Sequence, residues 1–266
     1  MPLLNYAPGH QLLASILYNN KMSKKKQADL RVLLLQIRED PVVTKEEQES
    51  FALHSGLSLA QFSIHNTFDN PDFGPEILEG FDALFVGGAS SASVLKPDEY
   101  PFIDSCKNLL SHCAESSFPT FASCFGFQAA VLAFGGEIIR DEEVYEMGTV
   151  SISLTGAAST DPLFKYLSGD FYAISVHKEK AIKLPENCLL LGETELCCQA
   201  FRVIDRPFWC FQFHPELNRP CLVERLGVYK DQYTDGENQY QEVINALKEV
   251  PESNSLVRLF VEKILI

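Results

Sequence analysis

The chain has 266 residues, of which 46% are hydrophobic and 22% charged, values that are ordinary for a soluble globular protein of one large domain or one domain with an insertion. Its formal net charge of −14 argues against nucleic-acid binding and against attraction to anionic membranes. No apolar run is long enough to span a bilayer, and no basic region before an apolar one marks a signal peptide.

Residues 1–30 differ in composition from the rest, and we predict that they form an extension or linker before a domain at 31–266. Residues 11–18 form a short apolar stretch that could be a helix, and 21–26 form a basic linker. A docking arm or a targeting patch is the alternative interpretation.

Strands and helices are predicted to alternate along the first half of the domain. The predicted strands are 31–37, 57–64, 81–86 and 118–122, and the predicted helices are 45–55 and 102–115. A continuous apolar run such as 31–37 is typical of a central parallel strand. The alternation predicts an α/β fold with a parallel sheet and a site at the carboxyl ends of its strands.

The pattern changes after Gly136, where turn signals separate shorter apolar runs. Short strands are predicted at 150–154, 172–176 and 189–191, and a hairpin at 201–204 and 208–213. From Cys221 onward the chain is predicted to be mostly helical, and 256–261 is predicted to pack a final helix on the core.

Cysteines are spread along the chain without any C-x-x-C pair, at positions 106, 113, 124, 188, 197, 198, 210 and 221. Several lie in apolar runs, where a free cysteine behaves as a small hydrophobe. We predict a reducing, cytoplasmic compartment and no disulfide framework. A zinc site at Cys106, His112 and Cys113 lacks an evident fourth ligand, so we interpret these residues as packing residues.

Cys124 lies between an apolar strand and an apolar helix, in the segment FPTFASCFGFQAAVLAFGG that runs from 118 to 136. Small residues two places before and after the cysteine let the strand and helix backbones pass closely. This is the arrangement of a nucleophile elbow, in which a sharp turn lifts the side chain clear of the sheet. The N-terminus of the following helix favours the thiolate. Cys124 is therefore the predicted nucleophile.

A second motif, His214-Pro215-Glu216, follows the apolar run that begins at Phe208. Proline disfavours the helical conformation for the residue before it, which predicts an extended backbone at His214. Side chains two residues apart on an extended run leave on the same side. We therefore predict that Glu216 orients one ring nitrogen of His214 while the other faces Cys124, as in nucleophile–base–acid triads.

These motifs resemble those of class I glutamine amidotransferases, the Cys-His-Glu glutaminases, and in particular stand-alone proteins similar to the glutaminase domain of GMP synthase. The family's elbow, usually Gly-x-Cys-x-Gly-His-Gln, reads ASCFGFQ at 122–128, and its His-Pro-Glu is matched at 214–216. Further matches are FDALFVGGA at 81–89, EMG at 146–148 and CQAF at 198–201. The resemblance covers roughly 31–266 and implies a three-layer, flavodoxin-like α/β fold with a mostly parallel central sheet and a small antiparallel β addition.

The resemblance also implies a substrate site. The backbone N–H groups of Gly88 and Phe125 form the predicted oxyanion hole, which holds the negative charge that develops on the attacked carbonyl. Gln128, one helical turn after Cys124, is predicted to contact the α-amino-acid end of the substrate. Gly87 and His177 are also placed at the substrate site.

Three departures from the family pattern lie outside the triad. Ala122 and Ala89 replace the usual glycine and proline, and Phe127 replaces the usual histidine after the elbow glycine. Because Phe127 removes a polar group near the active-site helix, we expect the polarity of the pocket or its partner contacts to differ from those of the family.

The implied function is hydrolysis of L-glutamine without a metal or an organic cofactor. Cys124 attacks the side-chain amide, ammonia leaves, and a γ-glutamyl thioester is hydrolysed to glutamate. No P-loop is present in the sequence, so ammonia is expected to pass to a separate synthetase, if there is one. Two alternatives stay open: a γ-glutamyl peptide hydrolase of the glutathione-conjugate type with the same triad, and a non-enzymatic regulatory protein on this scaffold.

Overall fold

The computed structural model describes residues 25–229 and 237–266. The predicted helix at 11–18 and most of the basic linker at 21–26 lie outside the described residues. The domain boundary at residue 30 therefore stays a prediction. None of the described helices is both long and apolar enough to cross a membrane.

A long mixed sheet forms the centre of the protein, with helices on both faces. Its strands are β1 (Val32–Ile37), β2 (Phe62–Asn66), β3 (Ala83–Ala89), β4 (Thr120–Ser123), β6 (Glu146–Leu154), β7 (Phe171–His177), β9 (Cys188–Glu193), β10 (Cys198–Val203) and β11 (Phe208–Phe211); a separate two-stranded sheet consists of β5 (Glu137–Arg140) and β8 (Glu179–Lys183). The helices are α1 (Pro41–Ser55), α2 (Phe102–Ser116), α3 (Phe125–Ala133), α4 (Arg219–Val228), α5 (Glu237–Ala246) and α6 (Pro251–Phe260).

The strand order of the main sheet is β2-β1-β3-β4-β11-β10-β9-β6-β7. Strands β2, β1, β3, β4 and β11 run parallel to one another. From β11 onward, β10, β9, β6 and β7 pair in antiparallel fashion. The predicted α/β fold is thus confirmed, and the antiparallel addition continues the same sheet.

Two hydrophobic clusters cover the two faces of the parallel strands. Alternate residues of β1 point to opposite faces: Val32 and Leu34 join one cluster, whereas Leu33 and Leu35 join the other. Helices α1 and α6 pack on the first face, and α2 and α3 on the second. This is a three-layer arrangement, with the carboxyl ends of the parallel strands at one edge.

Several element boundaries differ from the predictions for local reasons. Helix α1 begins at Pro41 rather than 45, because Asp40 caps it by accepting hydrogen bonds from the backbone N–H of Val42 and Val43. Strand β2 begins at Phe62 rather than 57, because residues 59–61 form a short 3-10 helix. Strand β11 ends at Phe211 rather than 213.

Candidate active site

Cys124 occupies a strained turn between β4 and α3, as the strand–turn–helix pattern predicts. Its φ of 47° and ψ of −97° lie in a region that non-glycine residues rarely adopt. The backbone N–H of Cys124 donates to the carbonyl oxygen of Phe211 at 2.7 Å, which ties the turn to β11. A Cβ atom at Gly126 would lie 2.9 Å from Val86 Cβ and 3.0 Å from Ala122 Cβ. Only glycine therefore fits where α3 passes the sheet.

His214 and Glu216 form a buried pair beside this turn. His214 Nδ1 lies 2.7 Å from Glu216 Oε1, within hydrogen-bonding distance. The backbone is not extended through Glu216 as predicted: the N–H of Leu217 donates to the carbonyl oxygen of His214 at 3.2 Å, which closes a turn. Pro215 directs this turn, and the carboxylate reaches the ring from within it.

Gly88 lies where the side chains of Cys124 and His214 come together. A Cβ atom at Gly88 would lie 2.7 Å from His214 Cε1 and 3.4 Å from Cys124 Cβ. Both side chains thus approach the same face of β3 near its carboxyl end. Phe125, the other predicted oxyanion residue, is the first residue of α3, where a backbone N–H has no acceptor within the helix.

The charges around His214 favour its protonated form. Burial alone would lower the pKa of His214, but the Glu216 carboxylate and Cys124 outweigh burial and raise it to about 9. Burial likewise opposes ionisation of Glu216, yet His214 and Arg225 hold the pKa of this carboxyl below its usual value. The site is therefore built for an imidazolium next to the sulfur.

A cavity of about 300 Å³ opens at the carboxyl ends of the strands, beside Cys124. Four predicted site residues line it, namely Cys124, Phe125, Gln128 and His177. Ser90 and Ser91 from the segment after β3 form one wall, and the side near β5 and β8 carries Arg140, Tyr145 and Lys178. The geometry suits an amide or ester substrate whose carbonyl carbon approaches a thiolate.

A family model described as glutamine amidotransferase class-I matches residues 52–219. The chain belongs to the class I glutamine amidotransferase family. It is 31% identical over 119 residues to a glutamine-hydrolysing GMP synthase subunit of Methanocaldococcus jannaschii, covering 44% of this chain and 61% of that protein. It is 24% identical over 189 residues to "Gamma-glutamyl peptidase 4" of Arabidopsis thaliana, covering 70% of this chain and 72% of that protein.

Among solved structures, a glutamine amidotransferase from Thermotoga maritima superposes with a TM-score of 0.68 at 17% sequence identity, covering 89% of this chain and 98% of that chain. At this identity the likeness shows the fold alone. The alignment with the M. jannaschii protein spans about three fifths of that relative's length.

Two residues that were predicted to contact the substrate already contact other residues of the protein. Gln128 Nε2 donates to the carbonyl oxygen of Glu179 at 2.9 Å, which ties α3 to β8. Gly87 is not among the residues that line the cavity, since a Cβ atom there would lie 2.6–2.8 Å from the Glu47 carboxylate. Gly87 thus faces a buried carboxylate, and its contact with the substrate stays a prediction.

His177 is held by Glu146, a residue that the sequence analysis matched to the family without assigning it a role. His177 Nε2 lies 2.9 Å from Glu146 Oε2. The same carboxylate accepts hydrogen bonds from Ser175 Oγ, Thr194 Oγ1 and Gln199 Nε2. Burial opposes ionisation, but these donors, led by His177, lower the pKa of Glu146. Glu146 therefore joins β6, β7 and β10 at the wall of the cavity.

The same residues bear on metal binding. Glu146, His177 and Cys197 place potential ligand atoms within 4.8 Å of one another. However, the Glu146 carboxylate already accepts hydrogen bonds from Ser175, Thr194 and Gln199, and Cys197 Sγ accepts one from Gln199 Nε2. We interpret the group as a polar network that holds His177.

Other residue predictions can be placed as well. Cys106 and Cys113 are fully buried on α2 within a hydrophobic cluster, as the packing interpretation predicts. His112 is exposed, so that interpretation is wrong for this residue. Phe127 packs in the core with its ring 5.1 Å from that of Phe201 and does not line the cavity. Phe127 therefore does not alter the polarity of the cavity lining, and the alternative expectation, a difference in partner contacts, stays a prediction.

Sequence reasoning missed two buried ion pairs next to the site. Arg38 Nη2 lies 2.8 Å from Glu47 Oε1, and Arg225 Nη2 lies 2.6 Å from Glu46 Oε2. Arg38 also donates from Nη1 to Ser90 Oγ, which lines the cavity. One of these residues could have been found from the sequence. Arg38 is a charged residue directly after the buried strand β1, and the functional site of a parallel sheet lies at the carboxyl ends of its strands.

Proposed function

We propose that this chain is a cysteine-dependent glutaminase. The observation that carries the proposal is the convergence of Cys124, the His214–Glu216 pair and Gly88 at one edge of the sheet, beside a cavity that can hold an amino-acid side chain. Residues 31–266 would form the catalytic domain, which needs no metal or organic cofactor for this chemistry.

The proposed reaction has two halves. The Cys124 thiolate attacks the side-chain amide carbon of L-glutamine, and the N–H groups of Gly88 and Phe125 stabilise the oxyanion. The His214 imidazolium gives its proton to the departing nitrogen, so ammonia leaves and a γ-glutamyl thioester forms. Neutral His214 then takes a proton from water, which attacks the thioester and releases glutamate and the thiolate. Glu216 orients the ring and offsets the imidazolium charge.

The partner and the compartment belong to the same proposal. One relative is described as a subunit of glutamine-hydrolysing GMP synthase, so we propose that a separate synthetase polypeptide receives the ammonia. A thiol nucleophile must stay reduced, which fits a cytoplasmic location.

A second candidate function is hydrolysis of γ-glutamyl peptides. It is favoured by the alignment with a γ-glutamyl peptidase over 72% of that protein's length. Arg140 and Lys178 line the cavity and both pair with the exposed Glu142, a partner that a peptide carboxylate would replace. The thioester would be the same, with an amine carrying a side chain as the leaving group.

The test is release of ammonia and glutamate by the purified chain, with glutamine and γ-glutamyl peptides offered in parallel. Equal amounts of glutamate and ammonia from glutamine alone would support the glutaminase. Glutamate together with a free amino acid or dipeptide would support the peptidase. Cys124→Ala should abolish either activity, whereas Cys188→Ala, outside the cavity lining, should retain it. Activity that survives Cys124→Ala would refute both proposals.

A further inference from the structure

The nucleophile and the histidine line different cavities. Cys124 lines the large cavity, whereas His214 lines a second, much smaller one behind it. Ala89 and Val176 line both, so the two cavities adjoin at these residues. A substrate bound against Cys124 would therefore leave the small cavity available next to the general base.

The small cavity has the size and the donors for one water molecule. Its volume is about 10 Å³, and roughly 10–15 Å³ on the same measure is needed to hold one water. Arg38 and Arg225 both line it, and both side chains are almost fully buried. Arg38 Nη2 and Arg225 Nη1 have no hydrogen-bond partner among the described residues. Buried guanidinium donors of this kind require an acceptor.

The geometry of the Arg38–Glu47 pair supports this conclusion. Glu47 Oε1 already accepts a hydrogen bond from Arg38 Nε at 2.9 Å. Arg38 Nη2 lies 2.8 Å from the same oxygen, yet it forms no aligned hydrogen bond there. A Cβ atom at Gly88 would lie 3.0 Å from Nη2, which places this donor close to the catalytic turn.

The surrounding charges favour a neutral occupant over an anion. The two guanidinium groups are each paired with a buried carboxylate, Glu47 for Arg38 and Glu46 for Arg225. Glu216 adds a further negative charge near Arg225. Burial opposes ionisation of Glu216, whereas His214 first and Arg225 after it lower the pKa of its carboxyl. The three cationic groups, including the His214 imidazolium, are thus matched by three carboxylates, so the cavity has no excess positive charge to attract an anion.

We propose that the small cavity binds the water that hydrolyses the γ-glutamyl thioester, held by Arg38 Nη2 and Arg225 Nη1 beside His214. This inference rests on the proposed function. In this step the water oxygen forms a bond to the acyl carbon, one water proton passes to the neutral imidazole of His214, and the C–S bond breaks to return the Cys124 thiolate. Glutamate is the product, and no further reactant is needed.

The first experiment is a high-resolution crystal structure of the full chain. We expect an ordered water within about 2.7–3.2 Å of both guanidinium nitrogens. A cavity without density would overturn the proposal. So would a chloride ion, identified by anomalous scattering after crystals are grown in bromide.

The second experiment fills the cavity and separates the two halves of the reaction. Leu222→Phe adds side-chain volume at a position on α4 that lines the small cavity. If this variant folds poorly, Leu226→Phe adds volume at a second lining position one helical turn later. Leu247→Phe is the matched control, because Leu247 belongs to the same hydrophobic cluster but is not among the lining residues. Folding is checked by urea unfolding of each variant.

We expect the filled variants to form the thioester at the normal rate and to hydrolyse it roughly tenfold more slowly, a barrier increase of about 1.4 kcal/mol. Intact-protein mass spectrometry would then detect glutamyl enzyme in the filled variants and not in Leu247→Phe. Normal turnover by a filled variant whose crystal structure lacks the water would overturn the inference. If Cys124 of the wild-type chain never forms the thioester, the proposed function is refuted. The crystal structure would then still show whether the small cavity holds a water molecule.

Discussion

At the residue scale, the candidate site depends on charges removed from solvent. Glu216 is fully buried, and its carboxylate interacts electrostatically with both His214 and Arg225. An isolated buried carboxylate would tend to take up a proton, and these two cations keep it ionised. The carboxylate in turn keeps His214 protonated up to a pH well above neutrality.

Replacement of this carboxylate should change the titration of His214. In wild type we expect the imidazole to titrate near pH 9, as followed by NMR of isotopically labelled histidine. In Glu216→Gln the negative charge is lost, burial becomes the dominant influence, and the pKa of His214 should fall well below 9. Glu179→Gln, which changes a cavity carboxylate not bonded to His214, should leave it near 9. An unchanged pKa in Glu216→Gln would contradict this account.

The same ionisation contributes to stability in a defined pH window. The pKa of His214 is raised from an ordinary value of 6.5 to about 9. Its protonation therefore stabilises the fold fully below pH 6.5, and this contribution is lost as the pH rises through about 9. Urea unfolding of wild type should show this loss between those pH values, and Glu216→Gln should show a smaller loss.

The predicted oxyanion position should not tolerate a methyl group. In Gly88→Ala the new Cβ would collide with His214 Cε1 at 2.7 Å, so the imidazole must shift away from Cys124. We expect kcat to fall by about 10²–10⁴, the range that a positioned general acid–base contributes. Gly156→Ala, where a Cβ atom meets nothing within 4 Å, is the matched control. Full activity in Gly88→Ala would contradict the placement of His214 against Gly88.

At the element scale, the sequence predicts which segments form strands and helices better than where they end. The apolar run at β1 and the strand–turn–helix around Cys124 were predictable, because burial on both faces and small residues leave few alternatives. Strands β5 and β8 were missed: they form a separate ribbon, and three of the four β5 residues are exposed. The turn at Glu216 was also missed, since an extended run and a proline turn both bring its carboxylate to the imidazole.

Three strands of the antiparallel part depend on one carboxylate. Glu146→Ala removes the acceptor for His177, Ser175, Thr194 and Gln199, and it leaves buried donors unsatisfied. We expect the free energy of unfolding to fall by about 2 kcal/mol or more, and KM to rise because His177 is no longer held at the cavity. Urea unfolding and steady-state kinetics measure the two effects. Exposed Glu143→Ala is the control, and equal behaviour of the two variants would contradict the role of Glu146.

At the scale of the whole molecule, the order of strands and helices indicated the α/β class, whereas the charged surroundings of the site could not be predicted. Arg38 and Glu47 are close in sequence, but Arg225 and Glu46 are far apart, and only the packing of α4 against α1 brings them together. A buried pair between distant residues leaves no periodic signal in a single sequence. The small cavity beside His214 is invisible for the same reason.

The C-terminal helix lies beyond residues 52–219, which the family model matches, yet it completes the core. Phe260 on α6 is fully buried, and its ring lies 5.6 Å from Phe85, 5.4 Å from Phe121 and 5.9 Å from Trp209, so it covers three parallel strands at once. Phe260→Ala should lower the free energy of unfolding by about 3–5 kcal/mol, as measured in urea. Since the ring contacts the face of the sheet and does not line the cavity, kcat of the folded fraction should be unchanged. Leu53→Ala at an exposed position of α1 serves as the control, and a loss no larger than that of Leu53→Ala would mean that α6 is not part of the core.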